Sequence, residues 1–224
     1  MPFEMPIFPL GVVLFPGMPL PLHIFEPRYR LMISRCLEAD RTFGVALLVD
    51  GEEGQSDTVP ATVGCSAHIL EAAELDDGRY NLQALGERRF RILGLREQDD
   101  YLVGNVQWLD DEPEEIEAAR LANQALRSLR RYLGAIGSNL GASDGAFSVP
   151  GDAHALSLWI AALLATPNVQ KQALLETTST AARLKTEVQL LQRAEVVQAA
   201  WTRRQTWPDS PTDAPDPAQF FSLN

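Results

Sequence analysis

No stretch of this sequence approaches the roughly 18 consecutive apolar residues that a membrane-crossing helix requires, so no transmembrane helix is expected. The start of the chain lacks a basic segment leading into an apolar one, so no signal peptide is expected either. Cysteine is limited to Cys36 and Cys65, far apart and without a CxxC pattern. That excludes a disulfide framework and a four-cysteine zinc site, and fits two packed thiols in a reducing cytoplasm. There is no Gly-Lys dipeptide and hence no phosphate-binding GxxxxGK[ST] loop, no GxGxxG after a strand, no HExxH and no GxSxG.

Histidine is scarce too. His23, His68 and His154 lack metal-ligand spacing, so no metal and no cofactor is expected. Cys65 and His68 stand three apart in a strand-like run, which puts them on opposite faces unless a bulge at Gly64 intervenes. Acidic pairs are frequent, as at Glu52-Glu53, Asp76-Asp77, Asp99-Asp100 and Asp110-Asp111, but each adjoins a turn or boundary signal and reads as solvated. No catalytic residues are assigned on these grounds.

What is present is a chain of 224 residues, 46% apolar, long enough to bury a full core. Its net charge of −11 is unevenly spread: residues 1–112 carry 9 basic and 19 acidic side chains, whereas residues 113–205 carry 10 and 8. An acidic first half repels phosphate backbones, which argues against nucleic acid as its partner.

Residues 5–30 hold six prolines, Pro6, Pro9, Pro16, Pro19, Pro21 and Pro27, set between short apolar stretches, and read as brief strands joined by turns. Pro27 then opens a helix over 27–39, with Tyr29, Met32, Ile33, Cys36 and Leu37 on one face. Strand-like runs follow at 43–49, 58–71, 80–84, 88–96 and 101–109, with a hairpin signal at Asp76-Asp77-Gly78. So many short strands favour barrel-like closure over an open sheet. At Asp110 the character changes. Asp111 and Glu114 resemble a capping box before a helix over 114–134, whose apolar stripe is Ala118, Leu121, Ala125, Leu129 and Leu133. Helices are expected at 153–165, from Thr166-Pro167 to about 176, and from the 177–180 cap to about 205. The expected organisation is α+β: a β lobe over 1–112, an α-helical bundle over 113–205, and a Pro/Asp-rich tail over 206–224.

Two sets of residues stand out as surface candidates. Phe15, Met18, His23 and Phe25 concentrate adaptable apolar and aromatic bulk in the proline-broken segment, and are the candidate lining of a binding groove. Arg88, Arg89 and Arg91 form the densest basic cluster of the first half, a candidate anion or partner patch, with Arg89 and Arg91 on one strand face.

The run PIFPLGVVLFPGMPLPLHIFEPRYRLMI resembles the opening of the N-terminal substrate-binding domain of bacterial ATP-dependent Lon protease. The later run VGCSAHILEAAELDDGRYNLQALGERRFRIL, with Gly86, Arg89 and Ile92 spaced as Gly-x-x-Arg-x-x-Ile, is similar to the second signature of that family. Cereblon carries a domain similar to the same unit. The resemblance implies a PUA-like pseudo-barrel of about six strands with an embedded helix, followed by a helical bundle, and a role in engaging polypeptide. The sequence shows neither an ATPase nor a serine–lysine protease module, and its lysines, Lys171 and Lys185, fall outside the family's catalytic motif. The resulting expectation is a stand-alone, non-catalytic, cytoplasmic module that binds unfolded or extended polypeptide or a specific protein partner, such as a Lon-type protease. The rivals are an RNA-binding PUA-like module and an enzyme using a pocket built from His23, His68 or Cys65.

Overall fold

A computed structural model describes residues 1–50, 59–113, 116–137 and 149–205. Among the described residues, six strands and five helices follow in the order β1 (Phe3–Leu10), β2 (Pro19–Ile24), α1 (Pro27–Glu38), β3 (Thr42–Asp50), β4 (Val59–Glu74), β5 (Tyr80–Gln98), β6 (Tyr101–Trp108), α2 (Ile116–Gly137), α3 (Ala153–Leu163), α4 (Asn168–Glu176) and α5 (Thr180–Gln205). The expected tail at 206–224 lies outside the described residues, as does Glu114 of the expected capping box.

The strands run in the order β2-β5-β4-β3-β1-β6, and β6 pairs back onto β5. Five strands thus close a barrel, with β2 attached outside it to the first half of β5. Only β1 and β3 run parallel; the remaining pairings are antiparallel. The two runs expected at 80–84 and 88–96 are one strand, β5, whose first half pairs with β2 and whose second half pairs with β6. A closed barrel removes sheet edges, and a strand long enough to serve two neighbours in succession provides the seam.

Glycines let this barrel close around Phe90. A Cβ on Gly44 would lie 2.7 Å from the Phe90 ring and one on Gly64 would lie 2.6 Å from it. Gly64 is therefore a close-approach glycine. The register of β4 shifts against β5 at Cys65/Ala67 and Ile69/Glu71, and against β3 just past the Ala46–Gly64 pair, so a ladder irregularity adjoins Gly64 on its β3 side. Asp76-Asp77-Gly78 forms the expected hairpin, with Gly78 at φ +75°.

The apolar interior has three parts. Phe90 with Met5, Ile7, Ala46 and Val106 fills one end of the barrel. The apolar face of α1 packs against Phe8, Phe43, Ile69 and Leu82. Val13, Phe15, Leu47, Ala61 and Val63 leave the barrel to join the helices in a third cluster that ties the lobes together. On α2 the buried stripe is Ala118, Leu121, Ala125, Leu129 and Tyr132; Leu133 is 43% exposed, because 3.6 residues per turn carry the stripe one position back by the last turn. Ser179 caps α5 by accepting the Ala182 N–H at 3.2 Å.

Candidate functional site

The helical lobe is held to the barrel by a buried set of charges. Arg89 projects from β5, on the face opposite Phe90, and is 2% exposed. Its guanidinium donates to the carbonyls of Leu175 at 2.6 Å and Thr177 at 2.8 Å, and pairs with the Asp111 carboxylate at 2.7 Å. Asp111 lies in the connection between β6 and α2. Its other oxygen takes Arg183 of α5 at 3.0 Å, and His154 Nδ1 lies 2.9 Å away. Arg183, fully buried, also donates to Ser157 Oγ at 2.8 Å. One carboxylate thus lies against two guanidinium groups and an imidazole; Arg183 donates to it directionally, whereas Arg89 Nη2 is close enough for an ion pair but makes no aligned hydrogen bond.

Burial alone would push the Asp111 carboxyl up. The bond from His154 and the charges of Arg183 and Arg89 outweigh it and hold the group below the ordinary carboxylate range. Asp111, expected to cap α2, has its carboxylate engaged between the lobes. Secondary bonds reinforce the junction: Gln172 Nε2 donates to the Val63 carbonyl at 2.9 Å, and Thr178 Oγ1 donates to Glu112 at 2.9 Å.

This arrangement dissolves the expected basic patch. Arg89 is inside; Arg88 is exposed but paired with Asp110 at 2.7 Å and stacked over Trp108 at 4.9 Å; Arg91 alone stays free of a recorded partner among the described residues. A cleft of about 260 Å³ lies at the same junction, walled by Pro16, Arg88, Asp110, His154 and Leu158 among others.

The expected groove residues separate into three environments. Phe15 is fully buried in the inter-lobe core and lines nothing, because Val63 and the helices cover it. Met18 is half-buried and touches both large clusters. His23 and Phe25 are exposed at the far end of β2, their rings 6.3 Å apart and stacked. His23 Nδ1 is 2.7 Å from Asn81 Oδ1, and Phe25 is 61% exposed.

The two thiols, of which Cys65 figured in the rival enzyme reading, are not poised for chemistry. Cys36 and Cys65 are free and buried, and desolvation pushes both thiols up to about 12. Ser157 Oγ, beside His154, donates to the His154 backbone carbonyl at 2.8 Å and accepts from Arg183. No group of three or more His, Cys, Asp or Glu among the described residues is placed to hold a metal. No helix among them is long and apolar enough to cross a membrane. Sequence reasoning missed the junction charges, although one signal was visible: Arg183 and Glu187 interrupt the apolar stripe of Ala181, Leu184, Val188 and Leu191 on α5.

Comparison with known proteins places this architecture. The family model for the substrate-binding domain of ATP-dependent protease La (LON) matches residues 4–193. Lon protease 2 of Myxococcus xanthus is 31% identical over 86% of this chain and 24% of its own length. Protein cereblon of Xenopus tropicalis is 32% identical over 58% of this chain and 28% of its own. The chain thus spans about a quarter of the length of these curated relatives. The crystal structure of a Lon N-terminal domain protein from Xanthomonas campestris superposes with a TM-score of 0.61 at 29% identity, covering 82% of this chain and 96% of that one. A barrel seamed by one long strand, with a helical lobe locked onto it through Arg89 and Asp111, is here the form taken by a member of the Lon substrate-binding domain family.

Proposed function

We propose that this chain binds polypeptide segments reversibly and without chemistry, in a reducing cytoplasm, with the exposed end of β2 as part of its contact surface. The observation that carries the reading is the pairing of His23 with Phe25. Two rings stand exposed side by side at the end of β2 and just past it, whereas Leu20 and Ile24 of the same strand are buried and Leu22 is half-buried. Exposed aromatic side chains offer contact area at low entropic cost. Half-buried Met18 adds an adaptable thioether at the base of the same strand. The deep burial of both thiols and the engagement of Ser157 support a non-catalytic role. The burial of Arg89 and the pairing of Arg88 weaken the RNA-binding alternative, since the arginines do not form a contiguous free surface.

The test is fluorescence anisotropy of a labelled, reduced and alkylated lactalbumin titrated with this protein, with labelled RNA in parallel. Saturable binding to the unfolded polypeptide, weakened about tenfold (roughly 1.4 kcal/mol) by His23→Ala with Phe25→Ala, is the expected result. Binding of RNA alone would overturn the reading.

A further inference from the structure

The ladder pattern determines which main-chain groups of the sheet are left open. Pro19 and Pro21 of β2 stand opposite Leu85 and Gln83 of β5. They have no N–H, and being two residues apart they share one edge, so both turn the missing donor away from β5. Leu20, Leu22 and Ile24 then exchange bonds with Ala84, Leu82 and Tyr80, and the main chain of Asn81 and Gln83 faces β4. There the partners are Ala73 and Glu71. By the same alternation Ala72 and Glu74 aim their N–H and C=O groups away from β5.

β3 does not reach them. It first pairs at Thr42 with His68, and the Ile69 N–H is taken by the Arg41 carbonyl at 2.8 Å. The Arg41 guanidinium closes that end by donating to the Ile69 and Leu70 carbonyls at 2.9 and 3.4 Å. Leu70 is the extra residue of a bulge and is 55% exposed. Past it, no strand among the described residues pairs with β4 on its outer side. The two edges of this three-stranded section therefore differ: prolines strip donors from β2, a recognised way to deter strand addition, while β4 keeps its donors. A cleft of about 520 Å³ lies over this part of the sheet, walled by Leu70, Glu71 and Ala73 of β4 and by Asn81 and Gln83 of β5, and reaches Arg41 at the β4 edge.

Charge selects the occupant. Glu71, Glu74 and Asp76 are exposed and have no ion pair among the described residues, whereas Asp77 is neutralised by Arg79 at 2.6 Å. Arg41, the one cation lining the cleft, has its guanidinium turned to the two carbonyls.

We propose that the Ala72–Glu74 edge of β4 docks an extended, lysine- or arginine-bearing polypeptide segment as an added strand. Its main chain bonds to Ala72 and Glu74, and its cationic side chains lie beside Glu71 and Glu74. The inference rests on the polypeptide-binding reading above and adds to it the surface and the chemistry of the segment.

The test uses a fluorescein-labelled Lys-Thr repeat peptide, its Glu-Thr counterpart and the labelled lactalbumin, each titrated with the intact protein. The Lys-Thr peptide binds, and the Glu-Thr peptide binds about tenfold more weakly or not at all. Ala72→Pro removes only an outward donor, leaves the β5 ladder bonded, and weakens the Lys-Thr complex about tenfold with the circular dichroism spectrum unchanged. A second, mutation-free readout is amide hydrogen exchange: the Ala72 and Glu74 amides exchange fast in the free protein and become protected on adding the peptide. Peptide binding that leaves both amides unprotected and survives Ala72→Pro overturns the edge while keeping the polypeptide reading. Failure of both peptides and of lactalbumin to bind overturns the polypeptide reading itself.

Discussion

Asp111→Ala is expected to lower the folding free energy by about 3–5 kcal/mol, read as a shift in the urea midpoint followed by circular dichroism. The carboxylate is shared by Arg89, Arg183 and His154, and both arginines are almost wholly enclosed. Removing it leaves two buried guanidinium groups facing one another without an anion. A loss below about 1 kcal/mol would mean that water reaches the junction and screens it. The pH dependence has a definite sign. The Asp111 carboxyl is lowered in the folded protein from its ordinary value of 3.8. Its stabilisation is therefore complete above that value and is lost as pH falls through the lowered one. Asp111→Ala removes this part of the acid sensitivity.

Glu187→Leu is expected to act in the opposite direction, raising stability at neutral pH by about 1–4 kcal/mol. Glu187 is fully buried on α5, and neither carboxyl oxygen has a hydrogen-bond partner among the described residues. Arg183, one turn earlier, attracts it electrically, but its guanidinium is committed to Asp111, Ser157 and the Thr177 carbonyl. Desolvation dominates and pushes the carboxyl well above its ordinary 4.5. A raised acid contributes most below the unfolded value, and its contribution declines as pH climbs toward the folded one. Thermal midpoints of the unaltered protein should thus fall between about pH 5 and the raised value, while Glu187→Gln, which cannot ionise, flattens that part of the curve. Equal slopes for the two proteins would show that Glu187 is hydrated and ordinary.

The contrast between these two carboxylates explains what could be read in advance. Local signals were enough for α1, opened by Pro27, for the Asp76-Asp77-Gly78 turn, and for barrel closure from many short strands. They also reached the buried stripe of α2 to within its last turn. They failed where burial is conferred from far along the chain. Phe15 looked available because its own neighbours are prolines and a turn, but the helices that cover it come more than a hundred residues later. Arg89 alternates correctly with Phe90, yet its face is the inner one because the carbonyls of Leu175 and Thr177 sit on it, 86 and 88 residues away. A periodicity can say which residues share a face; it does not say which face a distant segment will cover. Of the residues expected to line a groove, His23 and Phe25 stay exposed among the described residues, where only the side chains of Asn81 and Arg79 reach His23.

The seam of the barrel also sets an order of events during synthesis. β1 pairs with β6, Phe3 opposite Val106, so this ladder joins nearly the first and nearly the last residues of the lobe. A nascent chain must therefore hold β1 unzipped on one side until more than a hundred residues have been made, and such long-range pairing is slow and exposes apolar edges meanwhile. A ribosome-stalled chain that presents everything through Gln98 but not β6 should remain protease-sensitive in β1, and release of Tyr101–Trp108 should protect it. Protection before β6 emerges would show that β1 docks on β3 firmly enough without its second neighbour. The strand of the barrel that is synthesised first is in this sense the last to be finished.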